Sequence, residues 1–262
     1  MQHSFFFEEI DDKGVARLRL TRPDKHNAVN ADLIAELSVA LEGLSSDPRV
    51  RCLVLEAEGP SFSAGGDIAW MREMAGSDRA ANLKDAQRLG HLLETLDHLP
   101  LPTVAAVHGA AIGAGLGLVA CCDVVVAESS AVFAMPESHL GLVPGVIAPF
   151  LINTIGESAV RYHSLTGVRF DAEAGQRLGL VHRIALSGHL DSEVRDVTDR
   201  ILRGAPGAQS DSKAQILRLR GKSHEADAVA EGAEVLADRR VSGEAKEGLS
   251  AFLEKRKSSW AP

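Results

Sequence analysis

The sequence predicts an α/β layered core followed by an all-helical C-terminal part. Three observations carry that expectation. Short apolar, strand-like runs alternate with helical periodicities up to about residue 185. From Leu190 onward only helical patterns remain. Two runs rich in small residues, Ser61–Asp67 and Gly109–Gly117, each join a strand to a helix. The expected division separates residues 1–188, the α/β core, from residues 189–262, the helical region.

Taken in order, Phe5–Ile10 and Val15–Leu20 flank Asp-Asp-Lys-Gly and read as a β-hairpin, with Gly14 able to take a positive φ. Thr21–Asn27 is a loop. Leu33, Ile34, Leu37, Leu41 and Leu44 recur at helical spacing within Ala31–Leu44, and Asn30 is placed to cap that helix. Arg51–Ala57 reads as a short buried strand. A helix follows Asp67, and a longer one covers Leu83–Leu99, stopped by Pro100 and Pro102. Thr103–Val107 is a strand, and the glycine-rich run leads into a helix that reaches Cys122. Val124–Val126 and Val132–Phe133 are strands again. The C-terminal helices are expected over Val194–Leu202, Ala208–Leu219, Ala226–Ala237 and Gly243–Glu254, the first two separated by Gly204–Gly207. No internal repeat or low-complexity tract is visible.

Composition narrows the function classes. Of 262 residues, 45% are hydrophobic and 24% charged, with a net charge of −8. No surface basic enough for nucleic acid or an anionic membrane is expected. A polyanionic ligand must then be held by a few local cations and by backbone N–H groups. Cys52, Cys121 and Cys122 are the only cysteines, and two are adjacent in an apolar run. They read as packing residues, with no disulfide framework or metal cluster. The N-terminus lacks the basic region and cleavage site of a signal peptide, and no apolar stretch reaches membrane-spanning length. A cytoplasmic protein is the expectation.

Three segments carry candidate chemistry. In Ser61-Phe62-Ser63-Ala64-Gly65-Gly66-Asp67-Ile68, small residues let a ligand approach the main chain, and free N–H groups at the helix start face it. The competing reading is a tight turn with an Asp cap. Val107 through Gly117 repeats the arrangement after a second strand. Two such loops on neighbouring strand ends would aim two N–H groups at one point, an oxyanion hole. A dinucleotide phosphate loop is the rival, but the spacing is G-x-G-x-G rather than G-x-G-x-x-G, and the run lies in mid-chain. The third segment is Phe133 through Gly145, where Glu137 sits among apolar and small residues. Burial there would raise its pKa into a range useful for proton transfer. The alternative is an exposed Glu at a helix start after Pro136. His139 fits a structural role better than a catalytic one.

Together, Arg22-Pro23 with Asn27-Ala28, Phe62 through Ile68, His108-Gly109 through Gly115, Cys122-Asp123, and Phe133 through Gly145 resemble the crotonase (enoyl-CoA hydratase/isomerase) superfamily in order and spacing. Leu165-Thr166-Gly167, Ala172-Glu173-Ala174 and Gly179-Leu180-Val181 continue the resemblance along essentially the whole chain. It implies a spiral of ββα units with a helical C-terminal trimerisation region, a homotrimer or dimer of trimers, an acyl-CoA substrate and no permanently bound cofactor. It places the oxyanion N–H groups on Gly66 and Ala114. It runs coenzyme A along Ala28, Ala64, Gly65, Gly66, Asp67 and Ile68, with Lys25 a candidate phosphate contact. Of the two glutamates that flank a water in family hydratases, one matches Glu137. The other falls at Gly117, which cannot transfer a proton and is expected to leave a space for water or a branched substrate carbon. Gly145 matches the position whose N–H helps hold the water.

Three outcomes stay open at this point. Glu137 hydrates a 2-enoyl-CoA alone, or shuttles a proton between carbons as an isomerase, or the protein binds CoA esters without turnover. A finer similarity favours hydration. Trp70-Met71, Asn82-Leu83, Gly115 through Asp123 and Gly141 through Pro149 resemble bacterial methylglutaconyl-CoA and isohexenylglutaconyl-CoA hydratases, which serve leucine and acyclic terpene breakdown. A glutaconyl-type acyl group would need a cation for its distal carboxylate, and Arg72, Arg79, Arg88 and His91 are the candidates.

Overall fold

The structure, a computed structural model, describes residues 5–221 and 227–262. In chain order its elements are β1 (Phe6–Ile10), β2 (Val15–Leu20), α1 (Ala31–Ser46), β3 (Cys52–Ala57), α2 (Ile68–Ala75), α3 (Arg79–Asp97), β4 (Thr103–Val107), β5 (Ala110–Ile112), α4 (Ala114–Ala120), β6 (Val124–Glu128), β7 (Val132–Ala134), α5 (Ala148–Thr166), β8 (Phe170–Asp171), α6 (Ala172–Leu178), β9 (Arg183–Ala185), α7 (Leu190–Ile201), α8 (Pro206–Arg218), α9 (Ala228–Val241) and α10 (Gly243–Leu253).

The hairpin forms as its pattern requires, antiparallel from Phe6 opposite Leu20, with Gly14 at φ 86°. It opens a six-stranded sheet, β1-β2-β3-β4-β6-β9, whose other pairings are all parallel. Strand alternation sorts the side chains. Leu53, Leu55, Ala105, Val107, Val125 and Ala127 share one cluster with the apolar stripes of α1, α3, α4 and α5. Cys52, Val54, Val104, Ala106 and Val126 face the other way and are covered by Val194, Val197 and Leu202 in and just after α7. Both faces are buried, so these strands read as continuous apolar runs. On the α7 face, buried Glu56 is paired with Arg17 at 2.6 Å and Arg19 at 2.7 Å. A smaller sheet, β5-β7-β8, stacks Phe133 on Phe170 with centroids 5.3 Å apart.

After Ala185 the described elements are all helical. Two ion pairs fasten α8 to the core, Lys213 to Asp123 at 2.8 Å and Arg220 to Asp97 at 2.6 Å. Arg51 donates to the carbonyls of Leu202, Gly204 and Trp260, tying the C-terminal end to the edge of β3. Beyond that, α9 packs on α8 and α10. The start expected at Ala226 lies outside the described residues. None of the described helices is long and apolar enough to cross a membrane.

Several elements differ from expectation for local reasons. α3 begins at Arg79 because Asp78 caps it, accepting from Ala81 N–H at 2.8 Å. The glycine-rich run contains a strand, β5. α5 has no counterpart among the expected elements; Gly156, at φ 79°, interrupts its pattern.

One loop fixes the entry to the site. Asn27 is fully buried at φ 52°. Its amide donates to the carbonyls of Glu58 and Ser61 at 2.8 Å each, and its oxygen accepts from Arg22 N–H at 2.8 Å. Asn tolerates this left-handed backbone better than most residues. Asn27→Ala strands these groups and is expected to cost about 2–3 kcal/mol. Urea denaturation with an unchanged m-value measures it; a loss below about 0.5 kcal/mol, within the range of neutral surface changes, would contradict the peg.

Candidate active site

The segment Ser61–Asp67 is hydrogen-bonded along both edges. Ser63 N–H donates to Ala110 O, and Ser63 O accepts from Ile112 N–H at 3.0 Å. On the other edge, Val29 N–H donates to Gly65 O at 2.7 Å and Asp67 N–H to Val29 O at 2.8 Å. Both bonds point at Val29, so the N–H of Gly66 between them points away from it. Gly65, at φ 96°, turns the chain between the two contacts.

The second donor lies at the start of α4. Gly113 adopts φ 50° and ψ −118°, donates to Ala134 O and accepts from Gly117 N–H, both at 3.0 Å. Ala114 follows as the first helical residue, so its N–H has no acceptor within the helix. The two segments converge here. A Cβ built on Gly113 would lie 4.0 Å from Gly65 Cα and 3.1 Å from Glu137 Oε1. The structure therefore brings Gly65–Gly66, Gly113–Ala114 and Glu137 to one place.

Glu137 opens a 3-10 turn, Glu137–Leu140, that leaves β7 through Met135 and Pro136. The turn is anchored on both sides. Ser138 donates to Ser164 O at 2.8 Å, His139 Nε2 lies 3.0 Å from Thr166 O, and Leu142 N–H donates to Glu137 O at 3.0 Å. His139 thus has the structural role expected of it. The Glu137 carboxyl is half-buried, and Oε2 is buried with no hydrogen-bond partner among the described residues. Burial raises its pKa above the ordinary carboxylate range, offset in part by its own N–H. The carboxyl is partly buried, which the exposed-Glu alternative does not allow, but Leu140, Leu142 and Val143, expected to surround it, are themselves exposed.

Gly117 departs from expectation. The space beside it is already filled: a Cβ there would meet Ile147 Cγ2 at 2.6 Å, Ile147 Cβ at 3.2 Å and Leu93 Cδ1 at 3.4 Å. The sequence reading missed Ile147 and Leu93, and Gly117 alone carries no signal of what occupies the gap. Gly145 lies on the exposed stretch between the 3-10 turn and α5, where a Cβ would touch only Val143.

The remaining candidates lie along the 25–29 loop and the start of α2. Lys25 is exposed, and its ammonium is unpaired among the described residues. Ala28 is buried, and its carbonyl accepts from Arg22 at 3.0 Å. Ala64 and Ile68 are exposed, Ile68 to 66%. Asp67 has other duties: it caps α2 through Ala69 N–H at 2.9 Å and pairs with Arg22 at 3.1 Å. Burial pushes its pKa up, but the N–H groups of Ala69 and Trp70 and the Arg22 guanidinium hold it below the ordinary value. Trp70 and Met71 flank Gly66, the Met71 sulfur 3.2 Å from where a Cβ would stand. Trp70 is itself steadied by Asp85, 3.3 Å from its indole nitrogen.

A separate cleft of about 700 Å³, between the end of α4, α5 and α8, contains none of these residues. Its charged groups Asp97, Asp123, Lys213 and Arg220 are consumed by the pairs that hold α8. Cys122 lines it, and burial pushes that thiol up to about 12, too high to act as a nucleophile.

Comparison with known proteins gives a consistent result. Residues 11–262 match the family model described as enoyl-CoA hydratase/isomerase. The chain is 32% identical to the crotonyl-CoA hydratase of Syntrophomonas wolfei, over 94% of each chain. It is 30% identical to the short-chain-enoyl-CoA hydratase of Clostridium acetobutylicum, over 93% of this chain and 92% of that one. Among solved structures, an enoyl-CoA hydratase from Shewanella pealeana superposes with a TM-score of 0.94 at 37% identity, covering 98% of this chain and 96% of the other.

The raised pKa of Glu137 has a consequence for stability. Folding favours its neutral form, so the charged carboxylate costs stability at neutral pH. That cost vanishes as the pH falls through the folded-state pKa toward the unfolded one. Glu137→Gln is therefore expected to melt above wild type at pH 8 and level with it near pH 4. Equal Tm values at both pH values would contradict the desolvation assigned to this carboxyl.

Proposed function

Since this chain belongs to the enoyl-CoA hydratase/isomerase family, and is an enzyme of the crotonase fold, we propose that it reversibly hydrates a 2-enoyl-CoA with Glu137 as its sole acid/base. The observation that carries this is the Glu137 carboxyl lying against Gly113, beside the two main-chain donors and unpaired at Oε2 among the described residues. The N–H groups of Gly66 and Ala114 hold the thioester oxygen. They lower the cost of placing negative charge there, so one carboxylate suffices for chemistry at the α-carbon. Glu137 takes a proton from water as the water oxygen bonds to the β-carbon, and the π electrons move into the enolate. The enolate then takes that proton from Glu137 at the α-carbon. The net change is addition of H and OH on one face, and Glu137 is again a carboxylate. Gly145 N–H is the proposed contact that steadies the water.

Coenzyme A runs past Ala28, Ala64, Gly65, Gly66, Asp67 and Ile68, with Lys25 at its phosphates. No permanently bound cofactor is invoked. The exposed Lys25 and Ile68 suit a charged and an apolar part of that ligand. The favoured acyl group is 3-branched, of glutaconyl type. Of the cations considered for a distal carboxylate, His91 lies 3.7 Å from Glu42 and Arg88 acts on Asp85, which leaves Arg72 and Arg79. Isomerisation uses the same residue and is the second outcome of the test below.

The subunits assemble as trimers through the C-terminal helices. Val229, Leu236, Val241, Leu249, Phe252 and Leu253 on α9 and α10 are more than half exposed in the single chain, a cost that a partner surface would remove. Light scattering is expected to give a trimer or a hexamer; a monomer at micromolar concentration would sink the assembly.

Glu137→Gln keeps size and removes the base. It is expected to abolish turnover while CoA-ester affinity stays within about threefold, below the 1.4 kcal/mol that a tenfold change represents. Ala114→Pro removes one donor at a helix position that tolerates proline, and should lower turnover roughly 100- to 1,000-fold. Near-wild-type rates in either folded variant would refute its role. In oxygen-18-labelled water, label in a 3-hydroxyacyl product marks hydration, and a moved double bond without label marks isomerisation.

A further inference from the structure

Gly66 leads directly into α2, a helix with no fully buried side chain. Hydrogen bonds at its two ends therefore do much to locate it. At the start, Asp67 accepts from Ala69 N–H at 2.9 Å and pairs with Arg22 at 3.1 Å. At the end, the Asn82 amide donates to the carbonyls of Met74, Ser77 and Asp78 at 2.8, 3.2 and 2.9 Å. Between these ends, one side chain links the helix to both the site and α3. Trp70 is half-buried against the main core, and its Cζ3 lies 3.7 Å from where a Cβ on Gly66 would stand. Its indole nitrogen donates to Asp85 of α3 at 3.3 Å. Burial raises the pKa of Asp85, the indole N–H and Arg88 oppose that rise, and Glu73 adds to it.

We propose that Trp70 and Asp85 are positioning residues: the indole, clamped by the carboxylate, keeps the Gly66 N–H aimed and shielded from water while the thioester oxygen gains charge. This rests on the hydratase reading above. Gly66 has no side chain of its own and stands immediately before the cap of α2, so a shift of that helix is passed to its N–H. On its side-chain face the nearest atoms belong to Met71 and Trp70. Met71 is flexible and adapts to whatever lies beside it. The indole is flat and stiff, tied at its polar end to α3 and apolar where it meets Gly66. An N–H kept from water stabilises a developing charge more strongly than a hydrated one. The ground-state carbonyl carries little charge and gains little from this. The clamp therefore acts on kcat rather than on KM.

The experiment is a double-mutant cycle on Trp70→Phe and Asp85→Ala, with Asp85→Asn as the conservative variant. Rates are read as labelled 3-hydroxyacyl-CoA formed in oxygen-18-labelled water, from whichever of crotonyl-CoA and 3-methylglutaconyl-CoA the wild type hydrates faster. Trp70→Phe and Asp85→Ala are each expected to lower kcat roughly 10- to 100-fold, the scale of a small misplacement, with KM within about threefold. Once the indole N–H is gone, Asp85→Ala has nothing left to release. The double variant is therefore expected to match Trp70→Phe within about twofold. Asp85→Asn, whose amide oxygen accepts the same N–H, is expected to recover most of the loss. Independent effects that multiply in the double variant, no recovery with Asp85→Asn, or a change in KM alone overturns the clamp and leaves the hydratase reading standing. If Asp85→Ala does not fold, Trp70→Phe decides by the same split between kcat and KM. A wild type that labels neither ester overturns the hydratase reading and this inference with it.

Discussion

The site depends on one stretch of main chain, Ser61–Asp67, being hydrogen-bonded along both edges. One edge is held by Ala110 and Ile112 of β5, the other by Val29. This double attachment decides where the Gly66 N–H points. Sliding either pairing by one residue would turn that N–H into the ladder and send its neighbour's outward. The constraint acts on backbone atoms, so its demands on sequence are indirect. It needs small residues where chains approach, a positive φ at Gly65, and a buried Asn27 to hold the adjoining loop in register. The side chains that look idle in this region are what the geometry requires.

Against that rigid frame the carboxylates divide into two kinds. Glu56, Asp67, Asp97 and Asp123 each face a cation at 3.1 Å or less. Those pairs join elements distant in sequence. Glu137 faces none among the described residues, and its position is set through Ser138 and His139, which bond the carbonyls of Ser164 and Thr166. A cation beside it would stabilise the charged form and weaken the base. Positioning by neighbours rather than by a salt bridge keeps the carboxyl fixed in place and basic at once.

Much of this was legible in the sequence because the relevant signals are local. The hairpin followed from alternation around Gly14, the first helix from its period and Asn30, and α2 from Asp67. Both small-residue loops could be read within a dozen residues of each, whereas Leu140, Leu142 and Val143, read as the surroundings of Glu137, are exposed in the structure. What escaped depends on contacts across the chain. β5 is Ala-Ala-Ile set among glycines, with too little contrast to show a period, and it exists because β7 and Ser63 pair with it. α5 is broken by a glycine at positive φ, so its stripe is out of phase with itself. The filled notch at Gly117 is the clearest case. A missing side chain looks like space in a sequence, and only the arrival of Ile147 from thirty positions later shows that it is not.

That interlock also bears on how such a pocket can change over generations. A side chain at position 117 collides with Ile147, whose branched Cβ cannot swing aside cheaply. Trimming Ile147 first leaves a hole in a closely packed region, at a cost of about 2–5 kcal/mol for loss of a buried Ile to Ala. Each step is therefore harmful alone, and only the pair restores packing, so the effects of the two changes are strongly non-additive. Drift by single substitutions is closed off at this spot. The contact is in that sense an interlock: a longer residue on α4 requires two simultaneous changes, or a stabilising background to carry the first.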